Sequence, residues 1–562
     1  MKSNGLKGLV TCAVIVLASA STASAQKITD QRIADLIREA ALRAGVEANI
    51  ATAPPSAQAA AGQGDRPNVR LTLDDAIKLA LDRNLDISVQ RLNPQTFDFS
   101  LSSLQAIYKP TLSSTVSQVL NTIPPNQTTS GGVVGTGIET DTTTYNGGLA
   151  QSFRWGGGNV AVALNNTRAT TTSLNNLFNP EYRPQWSATY TQPLMRNFSI
   201  DSNRQQLVVT KLNQDISEIQ LQATIINTLS NVRNAYWDYV FGVQSVEVAR
   251  RSVMLAEQLV MDNQTRVEVG TMAPIDVIQA QSQAATQRQN LAVAQGTLRT
   301  NELILKRLIV SGTQDPNWTA SIDPVDRPDF TPAAIDVPAA VRRALDARTD
   351  LAQVRKNLEV NNVTLKYLSN QTLPQVDLTA RYGVTGQGGT RYITEGSGVN
   401  RGEVIGVVPG GYTDALSTIF NQKYPTWTFG LNVTYPIGTS TQEASYARAQ
   451  LQSNQVEAQL RQIELQIATD VTNAATQVQN NVERVQAAQS AREFAQKQYE
   501  AEQSKFEVGM STNYFVVQSQ RDLATAQNNE LQAILAYRRS VVELERLQQT
   551  STTSANITIV GR

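Results

Sequence analysis

The sequence predicts a membrane α+β fold, in which short β-strands form part of a barrel shared between chains and long coiled-coil helices continue it. Three features point there: strand-length segments that alternate strictly between apolar and polar residues, Pro-free helical stretches with apolar residues every seven positions, and the recurrence of both, in the same order, in two halves of the chain.

The duplication comes first because it dictates architecture. Ala76–Asp82 (AIKLALD) resembles Ala340–Asp346 (AVRRALD), and the same offset carries Pro110 in KPTLSST onto Pro374 in LPQVDLT. YTQPL, from Tyr190 to Leu194, resembles VTYPI, from Val433 to Ile437. VEVGTMAPIDVIQAQ from Val267 parallels FEVGMSTNYFVVQSQ from Phe506, and Leu308 falls on Leu547 at that second offset. Each unit reads helix, strand, long loop, strand, two long helices. The first covers 71–311 and the second 339–549, joined by an Asp- and Pro-rich linker at 312–338. A tail, 550–562, follows.

In the strands, Trp427, Phe429, Leu431, Val433 and Tyr435 fall on one face, opposite Thr428, Gly430, Asn432 and Thr434. Val376, Leu378, Ala380, Tyr382 and Val384 repeat the pattern, as do Trp186, Ala188 and Tyr190; the stretch from Leu112 to Leu120 is weaker. About nine to eleven residues of this alternation suit a strand with one face in lipid and one in water. Trp427, Phe429, Leu431 and Val433 are the expected lipid-facing residues, with Trp427, Tyr435 and Trp186 where an interfacial aromatic girdle sits. Half-buried strands of a soluble sandwich would show the same alternation, so the helices decide.

From Arg196 to Val269 there is no Pro and a single Gly, Gly242. Positions 225, 232, 239, 246, 253, 260 and 267 are Ile, Val, Tyr, Val, Val, Val and Val, and a second column runs Val277, Ala284, Leu291, Leu298, Leu305. Seven-residue columns of this length mean coiled-coil packing. The other faces are rich in Gln and Asn, which suits helices with one side on neighbours and one side in water. About four strands cannot enclose a lumen alone, and open sheet edges are not tolerated in lipid. Several chains must therefore share one barrel; a trimer would supply ~12 strands.

Composition narrows the function classes. Basic and acidic residues balance at 48 each, which gives no reason to expect nucleic acid. There is no His, and the one Cys, Cys12, lies in a stretch that reads as a secretory leader over 1–25. That stretch has Lys2 and Lys7, an apolar run from Leu9 to Ala18 and small residues Ala23-Ser24-Ala25 before Gln26. A lipoprotein reading of Cys12 is weaker, because Thr11 precedes it. Without His or a retained Cys, His bases, thiol nucleophiles and the usual zinc ligands are all missing. Between leader and first repeat, 26–70 reads as an N-terminal extension and tether: a short amphipathic helix at Ile28–Leu42, then a Pro/Ala/Gln/Gly stretch from Ala51 to Pro67.

The duplicated plan, the QPL and YPI strand ends and the paired VGT and VGM helix turns resemble the TolC-like outer-membrane efflux proteins, over about Leu71 to Leu547. The resemblance implies a homotrimeric outer-membrane β-barrel and a coiled-coil helical tunnel in the periplasm. It implies a passive exit duct of a tripartite efflux or type I secretion system, with no enzyme activity and no cofactor. Its partners would be outer-membrane lipid, a periplasmic adaptor and, through it, an inner-membrane pump. The resemblance also places the adaptor-docking tip at Val269, Gly270, Thr271 and Val508, Gly509, Met510. Where drug-exporting relatives close the tip with acidic residues, this chain has Phe515 and Gln518; Asp276 matches an acidic position, but its basic partner's place is Ser511. An uncharged constriction at Phe515 and Gln518 is one reading of this gate, and packing of Phe515 between helices is the other.

Pro110 to Pro193 is longer than Pro374 to Pro436 by roughly one hairpin, at Tyr145–Arg168 around RWGGGN. It either projects beyond the membrane as a plug or extension or adds two strands to the barrel. The first is favoured, because twelve tunnel helices match twelve strands. An adhesive surface coiled coil and a carboxylate hydrolase are the competing function classes. Paired membrane-grade strands argue against the first, and nothing in the sequence supports the second.

Overall fold

The computed structural model describes residues 68–124, 137–173, 175–327, 330–332, 334–395, 403–438 and 440–550. The leader, the Ile28–Leu42 helix, the tether up to Pro67 and nearly all of the tail lie outside them. The chain divides into two compact units. One is built from the segments up to Gln95, Leu221–Asp336 and from Asn473 onward; the other from Thr96–Gln220 and Val337–Thr472.

The first unit is helical. α1 (Leu73–Arg83) is capped by Thr72, whose hydroxyl accepts from the Asp75 N–H. α2 (Leu85–Ala106) begins at Asn84, whose side chain accepts from the N–H groups of Asp86 and Ile87 and donates to the Leu308 carbonyl. The long helices are α3 (Ser202–Glu268), which belongs to this unit from Leu221 on, and α4 (Pro274–Ile309). At about 1.5 Å per residue α3 is about 100 Å long. The apolar column behaves as expected: Ile225, Val232, Tyr239 and Val246 are buried, and Val253, Val260 and Val267 are half-buried.

The segment expected to be a plain linker is ordered where it is described. It forms α5 (Pro316–Thr319) and a strand, β6 (Ser321–Pro324), which pairs in parallel with β1 (Asn68–Leu71). Two tyrosines of α3 bind this small sheet: Tyr236 donates to the Leu71 carbonyl and to Asp326, and Tyr239 to the Ile322 carbonyl. Burial is the main reason both phenols resist ionisation. Asp315 caps α5 and accepts from Arg83 at 3.0 Å, so the composition that signals a linker also supplies the polar anchors.

The second unit is a sheet with its attached helices. Its strands are β2 (Thr111–Ile123), β3 (Ile138–Ser152), β4 (Asn159–Thr171), β5 (Phe178–Pro193), β7 (Gln375–Thr385), β8 (Gly388–Thr394), β9 (Val404–Val408) and β10 (Pro425–Thr434). Their order is β10-β7-β5-β4-β3-β2, with β8 pairing β5 and β9 off that path, and every pair is antiparallel. The four strands read from sequence are β2, β5, β7 and β10.

The inserted hairpin departs from the favoured expectation. It does not project from the sheet; as β3 and β4 it lies within the ladder, between β2 and β5. Its turn shows why. Gly156 and Gly157 have φ near +64° and +68°, and the Gly156 carbonyl accepts from Gln192. A Cβ on Gly157 would lie 2.7 Å from the Asn197 carbonyl oxygen, and one on Gly158 would lie 2.6 Å from Gln192 Oε1. The turn therefore docks on the segment leading from β5 into α3, and only glycine permits the approach. The same segment ties the repeats together: Asn370 accepts from the Asn197 N–H at 2.7 Å, and Leu194 N–H donates to the Val376 carbonyl at 2.8 Å.

The remaining helices of the second repeat are α6 (Val337–Ala347), α7 (Thr349–Gln371), α8 (Tyr412–Phe420), α9 (Thr441–Glu507) and α10 (Asn513–Leu547). α8 was not read from sequence. It rests on Gly386 and Gly388, where a Cβ would lie 2.3 Å from the Ala415 carbonyl oxygen and 2.5 Å from its nitrogen, and Tyr412 packs edge-on against Tyr145 and Tyr182.

Candidate functional site

Two features bear on function, one in each unit. In the helical unit they are the turns α3–α4 and α9–α10. Gly270 and Gly509 both have φ of +78°. Gly270 N–H donates to the Val267 carbonyl and Thr271 N–H to the Arg266 carbonyl; Gly509 and Met510 do the same toward Phe506 and Lys505. Both are Schellman caps, in which a left-handed residue lets the last carbonyls of the helix find donors. Pro274 then opens α4, where a missing N–H costs nothing.

The caps leave apolar side chains in the open: Val269 is 67% exposed, Val508 70% and Met510 80%. Behind them the two turns are locked together. Arg266 lies over the Phe506 ring at 4.3 Å and donates to the Phe506 carbonyl, and the buried Asn263 donates to Asn513, which donates to the Asp276 carbonyl. Leu259, Ala280, Tyr499, Phe506, Val516 and Leu523 form the core beneath. A rigid support thus holds two matched, exposed apolar knuckles. None of these cross-links is legible in the sequence, because each joins residues far apart along the chain.

The expected gate residues lie beside this turn. Phe515 is 54% exposed and meets Tyr514 edge-on at 5.6 Å, so within one chain it is not packed between helices. Gln518 is exposed and donates to Asp522. Asp276 sits in the first turn of α4. Ser511 donates to Glu502, which also pairs with Lys505 at 2.6 Å; the Lys505 hydrogen bond, then that of Ser511, holds the Glu502 carboxyl below its usual range.

In the other unit the sheet has two chemically distinct faces. Residues opposite one another in a ladder point to the same face. Trp427 faces Tyr382, Tyr382 faces Ala188, and the row continues through Val162, Leu149 and Leu112. The next residues along give Thr428, Arg381, Thr189, Ala161, Ala150 and Thr111 on the opposite face. Trp427, Phe429, Leu431 and Val433 are all exposed, as are the other residues of this edge strand except half-buried Gly430, and Asn432 pairs with Asp377 on the other side. Trp186 and Tyr382 stack edge-on at 5.8 Å on the apolar face. No helix among the described residues is long and apolar enough to cross a membrane.

Comparison with known proteins gives this arrangement a family. The sequence matches the outer membrane efflux protein family over residues 159–310 and 340–548. The chain belongs to that family. Its fold is also that of solved outer-membrane channels: OprN (15% identity, TM-score 0.60, 85% of this chain and 89% of that one), VceC of Vibrio cholerae (15%, 0.59, 85% and 95%) and CmeC of Campylobacter jejuni (14%, 0.59, 91% and 98%). No curated protein matches by sequence. As an outer membrane efflux protein the chain resides in the outer membrane, its helical part in the periplasm, and serves as an exit channel.

Proposed function

We propose that three copies of this chain form a passive exit duct that works with a periplasmic adaptor and an inner-membrane pump, in a tripartite efflux or type I secretion system. The observation that carries the reading is the duplicated tip: two Schellman turns, one per repeat, each exposing apolar side chains on a cross-linked base. Exposed Val269, Val508 and Met510 offer a partner apolar contact area, and the caps fix the backbone so little is lost on ordering. The pairing of tips also suits a threefold assembly, which presents six such knuckles in two alternating kinds.

In this reading the neutral side chains of Phe515 and Gln518 narrow the pore, with Asp276 nearby. The apolar sheet face meets lipid and the polar face lines the lumen. The duct carries no catalytic group; its work is to close a path through the membrane. The test is export by cells carrying Val269→Asp with Met510→Asp. Trimers should still reach the outer membrane while export of a fluorescent efflux substrate fails; undiminished export would reject adaptor docking at these turns.

A further inference from the structure

The sheet contains more wall than four strands per chain provide. Its path runs β10-β7-β5-β4-β3-β2 without a break, so six strands form one continuous antiparallel ladder. The hairpin β3–β4 makes thirteen ladder positions with β2 and β4 across β3, and eleven with β5 across β4. It is therefore bonded along its length on both sides, as a wall strand is and a plug is not.

The side chains agree. On the apolar face the hairpin contributes Leu149, Val160, Val162 and Leu164, in the rows that hold Leu112 on one side and Tyr190, Ala188 and Trp186 on the other. On the polar face it contributes Asn146, Gly148, Ala161, Ala163 and Asn165, between Ser113 and Thr115 of β2 and Ser187 and Gln185 of β5. The polar face thus crosses the insertion without a charge, and the apolar rows cross its helix-side half; beyond Leu149 and Leu164 the same face carries Asp141, Thr143, Asn166 and Arg168, and Tyr412 of α8 covers Tyr145 and Asn166. At the helix-side turn, Trp155 is 76% exposed, an aromatic at the end of the hairpin where a membrane boundary would lie.

We infer that the hairpin is part of the barrel wall and that three chains close an eighteen-stranded barrel, seamed by β2 of one copy against β10 of the next. This rests on the trimeric duct proposed above. Both edge strands are exposed along their length, and their unpaired backbone groups cannot remain open in lipid. The occupant is a second copy of this chain. Six is even, so β2 and β10 run in opposite directions within one sheet, and each seam is antiparallel like every other pair. At ~4.8 Å between strands and a tilt of ~40°, eighteen strands give a backbone diameter of about 36 Å, against about 24 Å for twelve. The membrane part of this duct is wider by half than a four-strand contribution allows, and the polar face of its added wall is neutral and lined by small side chains.

The test uses the unmodified protein in lipid nanodiscs, imaged along the barrel axis by electron cryo-microscopy. Threefold particles with eighteen wall strands are expected. Threefold particles with twelve strands and a separate hairpin would overturn the inference and leave the duct reading standing; particles without threefold symmetry would overturn both. A bimane label supplies an independent reading. On Val162→Cys it should be quenched at least several-fold more by lipids brominated in their acyl chains than on Asn165→Cys. Equal quenching, or the reverse, contradicts the assigned wall.

Discussion

Replacing Gly270 or Gly509 by valine isolates what the tip turns owe to backbone conformation. Both glycines stand at φ +78°, and a Cβ built on either meets nothing within 4 Å. Steric collision therefore contributes nothing, and the whole effect comes from forcing a β-branched residue into the left-handed region. That costs about 1–3 kcal/mol. Asparagine tolerates the same backbone, so Gly270→Asn should recover most of the difference. Two hydrogen bonds per turn depend on the conformation: Gly270 to Val267 and Thr271 to Arg266 in the first, Gly509 to Phe506 and Met510 to Lys505 in the second. Hydrogen exchange at these amides reads local opening directly. With a tenfold change per ~1.4 kcal/mol, Gly270→Val should speed exchange at residues 270 and 271 by about 5- to 140-fold, with little change in the sheet. If valine and asparagine variants exchange at the same rate as the unmodified protein, the turns do not depend on a left-handed glycine and their role as fixed knuckles falls.

Three further outcomes follow from other parts of the molecule. Leu431→Arg should reduce membrane assembly by about 2–4 kcal/mol near the midplane, while Asn432→Arg, on the opposite face, should be mild; equal tolerance in a folding assay contradicts the faces. Burial opposes ionisation of Asp315, but N–H donors of Asn317 and Ser311 and the Arg83 side chain outweigh it and hold the carboxyl low. Its contribution is therefore present above the unfolded value of about 4 and fades as pH falls through the lower folded value, so the stability gap between the native protein and Asp315→Asn should close in acid, as read by chemical denaturation. Phe515→Ala should raise single-channel conductance in planar bilayers if three exposed rings narrow the pore, and unchanged conductance would end that assignment.

How much of this was legible beforehand depends on whether a signal is local. The column from Ile225 to Val246 could be read because a helix repeats its buried face at short, fixed intervals, and the same holds for Trp427 to Val433 in a strand. The inserted hairpin was legible as two strands around RWGGGN but not as part of the ladder: TTTY in β3 favours a strand, Asn-Gly-Gly then breaks it, and on the apolar face only Tyr145 and Leu149 mark the period. Its place became visible only through thirteen paired positions with β2, which are long-range. The linker misled in the opposite way, since Asp and Pro signal a loop while Asp315 and Ile322 in fact anchor α5 and β6. The tip glycines were readable as caps, yet the Arg266–Phe506 and Asn263–Asn513 links join residues 240 and 250 positions apart, beyond any local pattern. α8 was missed because its nine residues are too short for a helical period to stand out.

Fractionation of the producing cells, followed by mass measurement of the detergent-extracted protein, decides whether this chain is one protomer of a trimeric outer-membrane duct. The protein is expected in the outer-membrane fraction as a complex of three chains; a stable monomer in the soluble periplasmic fraction would rule the duct out.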